Sequence, residues 1–336
     1  MCKTNDFLVL LKYMKKVLVS GIQPSGKLHI GNYFGALKQF VDLQDTFDSR
    51  IIIVDLHALT TVQDKTRLAD ATLEIAMDYL ACGLDPKKVT IFKQSDMPQV
   101  TELAWYFNCL TTMAYLERAT SYKDANQKAK EVNVGVFDYP MLMAADILIQ
   151  DADIVPVGAD QKQHVEYTRD TAQKFNNTFG ETFKIPEPMI IESVAIVPGT
   201  DGRKMSKSYG NTIPLFGTDE EIKKAVMSIV TDSKTPEESK DPEVCNIFAL
   251  HKLFLNVEAL EKLRARYVEG GLGYKESKDM LLTEILNFIK PMRDKRDEYV
   301  RDITKVKEIL ENGKLKALKI AEEKMSTVRA NIGVSI

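Results

Sequence analysis

Short apolar runs alternate with longer amphipathic stretches through the first two-thirds of the chain. Residues 17–19, 50–54, 89–92 and 154–157 are rich in β-branched side chains, as is typical of buried strands. Residues 64–82 carry apolar side chains at helical spacing and stop at a glycine, which predicts a helix. Strands that alternate with helices in this way predict an α/β fold built on a doubly wound parallel sheet.

The pattern changes near residue 212. An apolar run near residues 190–198 is followed by a glycine-rich loop, and beyond it the chain is mostly amphipathic helix broken at proline or glycine. We therefore predict an α/β domain over residues 1–212, an all-helical domain over 213–300 and a C-terminal helix over 301–336. Residues 1–13 are expected to form a loose extension. The pattern leaves open whether the last helix packs back onto the α/β domain.

The composition is that of a folded globular chain. With 44% hydrophobic and 28% charged residues among 336, the chain has enough apolar material for a sizeable core. Its formal charge of −3 gives no global attraction to nucleic acid, so such binding would depend on local patches. The alternating Lys/Arg and Asp/Glu of residues 290–329 is typical of a solvated helix face, with a weak RNA-facing surface as the alternative.

The cysteines do not have the spacing of a metal or disulfide framework. Cys2, Cys82, Cys109 and Cys245 are scattered, which predicts reduced thiols in a cytoplasmic protein and no structural metal. The longest apolar runs are far shorter than the roughly 18 residues that a membrane helix needs. The apolar run at residues 7–11 is also too short for a signal peptide.

The loop after the first predicted strand has two phosphate-binding interpretations. Gly21, Gly26 and Lys27 have the spacing of a P-loop, but Leu28 stands where that motif needs Ser or Thr for magnesium. Pro24 also removes a backbone donor from the loop. The P-loop interpretation is therefore the weaker of the two.

The second interpretation places phosphates at the start of a helix near Gly31. His29 precedes that helix, whose first N–H groups favour negative charge. Far along the chain, Lys204 and Lys207 lie three residues apart on a glycine-rich loop, and two such lysines can close over a polyphosphate. A structural histidine and an exposed basic turn are the alternatives when each element is taken alone.

Together these two elements resemble the signatures of class I aminoacyl-tRNA synthetases, His-Ile-Gly-Asn at residues 29–32 and Lys-Met-Ser-Lys-Ser at 204–208. The longer segments 21–36, 139–148 and 153–164 resemble tryptophanyl-tRNA synthetases of the bacterial type. The similarity extends from about residue 15 to the C-terminus. It implies a Rossmann-like catalytic domain followed by a helical anticodon-binding domain.

The resemblance implies a two-step reaction. Tryptophan attacks the α-phosphate of ATP to give tryptophanyl-adenylate and pyrophosphate, and the tryptophanyl group then passes to tRNA(Trp). ATP would carry Mg²⁺ as the bound substrate, and the protein would be a cytoplasmic homodimer without a membrane association. Since the carboxylate of the amino acid is the nucleophile, catalysis needs positioning and charge stabilisation rather than an activated Ser or Cys.

The resemblance also implies which residues form the site. The catalytic groups would be His29, Lys123, Lys204 and Lys207. ATP would be bound by Gln23, Pro24, Ser25, Gly31, Asn32, Gly158, Ala159, Asp160, Ile196, Lys204, Met205, Ser206, Lys207 and Ser208, with Met205 against the adenine. Tryptophan would be bound by Asp146, Tyr139, Met143, Val155, Val157, Gln161 and Val19, with Tyr139 and Gln161 on its amino and carboxylate groups. From the residues alone, Asn32 could be only a helix cap, and a surface charge is the favoured interpretation of Lys123.

Asp146 is the residue on which substrate choice would depend. It lies in an otherwise apolar stretch, residues 141–149, where a carboxylate is costly unless it is paired. A helix cap or a buried salt bridge is the structural interpretation. The functional interpretation is that Asp146 accepts the indole N–H of tryptophan, which phenylalanine lacks.

Two positions depart from the family pattern. Val19 stands where many relatives carry an aromatic residue near the indole, and Tyr209-Gly210-Asn211 stands where bacterial relatives often have an Asp-Pro pair. We expect the two lysines of the loop to be unaffected. A tyrosine–tRNA ligase of the same class is the nearest alternative function. A non-catalytic tRNA-binding or signalling relative is disfavoured, since both phosphate-binding elements are intact.

Overall fold

A parallel five-stranded sheet lies at the centre of the protein, in a computed structural model that describes residues 15–24, 26–128, 132–158, 162–190 and 197–335. The strand order is β3-β2-β1-β4-β5, and all four pairings are parallel. The predicted α/β fold with a doubly wound parallel sheet is therefore confirmed. The strands are β1 Val17–Ile22, β2 Asp48–Ile53, β3 Thr90–Lys93, β4 Ile154–Val157 and β5 Glu187–Ile190.

The strand ends differ slightly from the apolar runs that predicted them. β1 continues through Gly21 to Ile22, because Gly21 allows β2 to approach closely: a Cβ there would lie 2.0 Å from the Ile52 carbonyl oxygen. β5 ends at Ile190, the first residue of the apolar run near residues 190–198. Residues 191–196 lie outside the described part of the chain, as do residues 1–14.

The helices have local signals for their ends. Asp64 accepts a hydrogen bond from the Arg67 N–H at the start of the helix Lys65–Ala81, and Gly83 follows the end of this helix with φ 111°. Single turns of 3₁₀-helix occur at Gln94–Asp96 and Lys207–Tyr209, and a π-helical turn at Tyr33–Leu37 joins α1 to α2. The α-helices are α1 Ile30–Asn32, α2 Lys38–Leu43, α3 Asp55–Ala58, α4 Lys65–Ala81, α5 Gln99–Leu110, α6 Met113–Leu116, α7 Thr120–Lys128, α8 Val134–Phe137, α9 Tyr139–Leu148, α10 Lys162–Phe179, α11 Asp219–Met227, α12 Asn246–His251, α13 Val257–Glu269, α14 Tyr274–Arg301 and α15 Ile303–Ile332.

Successive strand residues face opposite sides of the sheet, and each side has its own core. Ile51 and Ile53 pack on one side with α4 and with apolar residues of α11, α14 and the first half of α15. Ile52 faces the other side and packs with α5, α9, α10 and the second half of α15. A smaller cluster lies within the helical part, formed by Phe248, Leu263, Tyr267 and Leu272.

The last two helices run along the α/β part of the protein. On α14, Arg296 donates to the buried Asp78 carboxylate of α4 at 2.6 Å. On α15, Gly313 lies against strand β3 so closely that a Cβ would be 1.8 Å from the Ile91 carbonyl oxygen. A side chain at this position would therefore push the helix away from the strand.

The chain order of the strands fixes the place of the site. β1 is followed by β2 and β3 on one side, and the chain then crosses to β4 and β5 on the other side. Ligands of open α/β sheets bind outside the carboxyl ends of the strands where the order reverses, which here is between β1 and β4. Among the described residues, no helix is long and apolar enough to cross a membrane.

Candidate active site

A cavity of about 500 Å³ opens at the carboxyl ends of β1 and β4. This volume is typical of a small-molecule site. Its deep end is mainly apolar, and its outer end is formed by the loops that follow β1 and the Lys-Met-Ser-Lys-Ser segment. The lining residues are Val19, Ser20, Gly21, Ile22, Gln23, Leu28, His29, Asn32, Gly35, Ala36, Gln39, Phe40, Ile52, Val54, His57, Tyr139, Met143, Asp146, Ile147, Val155, Pro156, Val157, Gly158, Ser206 and Lys207.

A reciprocal cap fixes His29 at the start of α1. The Asn32 N–H donates to His29 Nδ1 at 3.2 Å, and the His29 N–H donates to Asn32 Oδ1 at 3.1 Å. The Asn32 N–H also donates to the His29 carbonyl at 2.8 Å, so its bond to the ring is shared, whereas the His29 N–H is satisfied by the Asn32 side chain. Asn32 is therefore a helix cap that also lines the cavity, so the two interpretations of this residue are compatible.

The cap also fixes the protonation of His29. Burial, aided by the nearby Lys207 charge, lowers the pKa of His29 to about 4, so the ring is neutral at pH 7. Since Nδ1 accepts the Asn32 N–H, the ring proton of the neutral form is on Nε2. His29 therefore offers the cavity an uncharged N–H donor.

The lysine loop is anchored on the same helix start. Met205 is buried, and its sulfur lies 3.3 Å from the Gly31 nitrogen, which donates to it. Lys207 Nζ donates to the Gly26 carbonyl at 2.9 Å across the mouth of the cavity. Burial lowers the pKa of Lys207, while the Asp78 carboxylate opposes that shift. The loop thus places one ammonium group at the cavity through contacts with both sides of the β1 loop.

A single buried asparagine holds the backbone of this loop. Asn211 Oδ1 accepts from the Ser206 N–H at 2.8 Å, and its Nδ2 donates to Asp201 Oδ1 at 2.6 Å and to the Lys204 carbonyl at 3.1 Å. The Asn211 carbonyl accepts from the Thr200 N–H at 3.0 Å. Four bonds from one residue therefore connect the beginning, middle and end of the loop. Only 2% of Asn211 is exposed, so water does not compete for them.

The chain that leaves the lysine loop returns to the β1 loop. The Ile30 N–H donates to the Ile213 carbonyl and the Leu215 N–H donates to the Leu28 carbonyl, each at 3.0 Å. These bonds place the loop and the start of α1 in one short antiparallel contact around His29. The first signature is therefore paired by backbone with the segment that follows the second one, and the Met205 side chain joins the two signatures directly.

Asp146 lies at the deep, apolar end of the cavity. It is on α9 and is 3% exposed, with Val19, Met143 and Val155 among the surrounding lining residues. Tyr139, one end of the same helix, also lines the cavity, and burial near Asp146 raises its pKa to about 12. The deep end therefore combines apolar walls with a single carboxylate.

The two oxygens of Asp146 differ. Oδ2 accepts from Gln94 Nε2 at 2.7 Å, and His57 Nε2 lies 3.2 Å from the same oxygen. Oδ1 is buried and has no hydrogen-bond partner among the residues that the structure describes. Burial raises the pKa of Asp146, while His57 and Gln94 oppose the shift. A buried acceptor of this kind costs free energy unless a ligand supplies a donor.

The structure gathers many of the predicted site residues in this cavity, though not all of them. Those that line it are Gln23, His29, Asn32, Gly158, Ser206, Lys207, Val19, Tyr139, Met143, Asp146, Val155 and Val157. Met205 packs on Gly31 rather than facing the cavity. Lys123, Lys204 and Ser208 are exposed and lie outside the lining, as does Pro24. Ser25, Ala159, Asp160, Gln161 and Ile196 lie outside the described residues.

The P-loop interpretation gains no support from the position of Lys27. Its side chain is 70% exposed and lies 4.0 Å from Glu221 Oε1, outside the cavity lining. Gly21, the first residue of the supposed motif, belongs to strand β1. The lysine that reaches the cavity mouth is Lys207.

The polar residues that hold parts of the site but were not foreseen from the sequence include His57, Gln94 and Asn211. His57 and Gln94 follow strands β2 and β3, so polar residues placed just after a strand could have indicated both. The importance of Asn211 has no local signal, because it depends on partners on both sides of the lysine loop.

The comparisons with known proteins agree with this geometry. The model of the family "tRNA synthetases class I (W and Y)" matches residues 14–290. A tryptophan–tRNA ligase of Fusobacterium nucleatum is 51% identical over 322 residues, which are 96% of this chain and 98% of that protein. One of Campylobacter jejuni is 48% identical over 94% of this chain and 99% of its own length.

Solved structures give the same result. The crystal structure of tryptophanyl-tRNA synthetase from Campylobacter jejuni in complex with ADP and tryptophan has a TM-score of 0.90 and 48% identity, over 95% of this chain and 99% of that chain. That from Mycoplasma pneumoniae has a TM-score of 0.80 at 28% identity, over 95% and 98%. The family model covers enzymes for tryptophan and for tyrosine, and these relatives decide between the two. The chain belongs to the class I tryptophanyl-tRNA synthetases.

Proposed function

We propose that Asp146 selects the substrate in the tryptophan–tRNA ligase reaction of this family, by accepting the indole N–H on Oδ1. The unpaired, buried Oδ1 at the apolar end of the cavity carries this proposal. The tryptophan ring packs against the apolar walls and donates its N–H to Oδ1, whereas an amino acid without a ring N–H leaves Oδ1 unpaired. Sites built around such a bond discriminate by orders of magnitude.

At the other end of the cavity, the same proposal assigns the triphosphate to His29 and Lys207. The tryptophan carboxylate attacks the α-phosphorus, a new O–P bond forms, and the bond to the leaving pyrophosphate breaks. Negative charge then accumulates on the pyrophosphate, where the Lys207 ammonium and the His29 Nε2–H stabilise it. Lys204 and Lys123 would reach the phosphates through movement of exposed side chains. Mg²⁺ would arrive on ATP, with no residue of this chain assigned to it.

The substrate assignment is tested by ATP–pyrophosphate exchange with tryptophan and with β-(3-benzothienyl)alanine, in which sulfur replaces the ring N–H. The wild type is expected to prefer tryptophan by at least about a hundredfold in kcat/KM. In Asp146→Asn, the KM for tryptophan rises and this preference falls, while the KM for ATP stays near that of the wild type. Asp138→Asn is the matched control, because Asp138 also has one bonded and one unpaired oxygen but lies outside the cavity lining. An unchanged preference in Asp146→Asn would overturn the assignment.

We also propose that the protein is a homodimer. Exposed apolar side chains lie just after α3 and on α5, α6 and α8, namely Leu59, Trp105, Met113 and Val134. Hydrogen bonds from Asn108 to Asp138 and from Asn133 to the Thr60 carbonyl connect the elements that carry them. Such a surface is typical of an interface. Light scattering of Trp105→Glu should give the monomer mass where the wild type gives twice that mass.

The helical part is proposed to bind the anticodon arm of tRNA(Trp), as the domain division predicted from the sequence implies. Its own small core, formed by Phe248, Leu263, Tyr267 and Leu272, supports a separate binding unit. Amide hydrogen exchange with and without tRNA(Trp) tests this proposal. Slower exchange in residues 246–301 is expected, and protection confined to residues 15–212 would contradict the proposal.

We also propose a cytoplasmic location for the protein, which cell fractionation checks.

A further inference from the structure

Gln94 is a fully buried residue that does not line the cavity but contacts the carboxylate that does. Its Nε2 donates to Asp146 Oδ2 at 2.7 Å, and its Oε1 accepts from the His57 N–H at 3.1 Å. Both the NH₂ group and the oxygen of the amide are therefore hydrogen-bonded, and the partners decide which of the two faces each side. The backbone N–H of His57 can only donate, so the amide oxygen faces His57 and the NH₂ group faces Asp146.

The turn that carries Gln94 is itself held in place. Gln94 is the first residue after β3, and the next residue, Ser95, donates from its N–H to Asp55 Oδ1 at 2.9 Å. The Ser95 hydroxyl donates to the other oxygen of Asp55. Asp55 and His57 both belong to α3, directly after β2. Three hydrogen bonds thus connect the ends of two neighbouring strands, and the Gln94 amide cannot turn without breaking one of them.

The consequence for Asp146 concerns which of its oxygens is available. Gln94 occupies Oδ2, and Oδ1 is buried at the cavity with no hydrogen-bond partner in the described part of the chain. Without a fixed partner, a carboxylate can rotate about its Cβ–Cγ bond so that neither oxygen is aimed at a ligand. The bond from a fixed amide donor removes that freedom.

We infer that Gln94 is a specificity-determining positioning residue, which holds Asp146 so that Oδ1 faces the indole N–H of tryptophan. This inference rests on the proposed role of Asp146. Gln94 acts through Asp146 and does not touch the substrate. Its loss is therefore expected to weaken the discrimination between a ring that carries N–H and one that does not, and to leave ATP binding unchanged.

Gln94→Met removes both hydrogen bonds at nearly constant length and volume. The preference for tryptophan over β-(3-benzothienyl)alanine in pyrophosphate exchange is expected to fall at least about tenfold, with the KM for tryptophan raised and the KM for ATP unchanged. Gln44→Met is the matched control. Gln44 is also buried and bridges two partners, the Gly83 carbonyl and the Asp85 N–H. These partners precede β3, at the amino ends of the strands and away from the cavity. The control should keep the full preference even if it loses stability.

Gln94→Glu gives an independent test should Gln94→Met fail to fold. The new side chain keeps an acceptor for the His57 N–H, and it can donate to Asp146 only when it is protonated. The tryptophan preference is therefore expected to recover as the pH falls, relative to the wild type at the same pH. The groups that face this pair are Asp55 and His57 on α3 and Tyr139 on α9, and they are identical in both proteins. A purely structural role of Gln94 would give no such recovery.

The outcomes separate this inference from the proposal on which it rests. If the wild type shows no preference for tryptophan over the sulfur analogue, or Asp146→Asn keeps it, the role of Asp146 fails and this inference fails with it. If Asp146→Asn loses the preference but folded Gln94→Met retains it, the role of Asp146 stands and only the inference is overturned. Loss of the preference in Asp146→Asn and Gln94→Met, with Gln44→Met unchanged, supports both.

Discussion

The two ends of the cavity are built in different ways. At the deep end, Asp146 projects from a buried helix, and its partners His57 and Gln94 directly follow two strands of the sheet. At the outer end, Lys207 belongs to a loop whose shape depends on Asn211, and its ammonium group donates one hydrogen bond, to the Gly26 carbonyl of the β1 loop. We therefore expect the deep end, proposed for the amino acid, to be the more rigid of the two, and the outer end, proposed for the triphosphate, to rearrange as charge develops.

Lys207→Ala should give the largest difference between the two ends. Loss of a charge that stabilises the leaving pyrophosphate is expected to lower kcat in pyrophosphate exchange about 10²- to 10³-fold. Tryptophan binding, measured by calorimetry, should stay unchanged. Lys27→Ala is the control, since Lys27 is an exposed lysine of the adjacent loop outside the lining. A large effect of Lys27→Ala with a small one of Lys207→Ala would restore the P-loop interpretation.

Asn211→Ala should disturb the outer end without removing a charge. The loop loses three side-chain hydrogen bonds, Lys207 is held less well, and kcat falls about tenfold to a hundredfold. Asn176→Ala is a matched control, because Asn176 is also buried and its side chain bonds the Thr182 N–H, the Phe183 N–H and the Phe183 carbonyl in another loop. Equal losses of kcat in the two variants would show that the effect comes from general destabilisation.

Val19→Ala should disturb only the deep end. Val19 is 1% exposed and lines the cavity, and the two methyl groups that the variant loses correspond to about tenfold in KM for tryptophan. The KM for ATP and the response to Lys207→Ala should be the same in the wild-type and Val19→Ala backgrounds. Coupling between the two substitutions in a double-mutant cycle would break the separation of the two ends.

The smallest expected effect is a difference in sign in the pH dependence of stability. The pKa of His29 is about 4 in the folded state against an ordinary 6.5. Between these two pH values the unfolded chain binds more protons than the folded one, so the stability falls as pH falls. The pKa of Asp146 is raised above its ordinary 3.8, so stability falls as pH rises above that value. Urea unfolding at several pH values should show less acid loss in His29→Gln than in the wild type. In Asp146→Asn the acid loss should be larger than in the wild type, and equal slopes in all three proteins would contradict both assignments.

Part of the outer end could be predicted from short motifs in the sequence. His29, Asn32 and Lys207 lie in short contiguous motifs, because the start of a helix and a single loop can bind phosphates with local backbone. The strands and the helix at Lys65–Ala81 were equally accessible, since hydrophobic periodicity and capping residues are local.

The surroundings of Asp146 could not be predicted in the same way. Asp146 stood out as a carboxylate among apolar residues, but its partner Gln94 is 52 positions away and was not foreseen. Gln94 and His57 look like ordinary loop residues until the strand order places the ends of β2 and β3 side by side. Asn211 was noticed only as part of a departure from the family pattern. Side chains that position other side chains are brought together by the tertiary fold, and the pattern of a single sequence does not reveal which residues these are.

Gly313 has a consequence for how this chain folds. β3 is at one margin of the sheet, so its outer peptide groups would otherwise be open to pairing with a strand of another molecule. α15 covers that margin, and the absence of a side chain at Gly313 lets it lie directly on Ile91. More than two hundred residues separate the two in the chain, so during synthesis the margin stays open until the end of the chain has emerged from the ribosome. We therefore expect the nascent protein to be prone to aggregation until α15 docks.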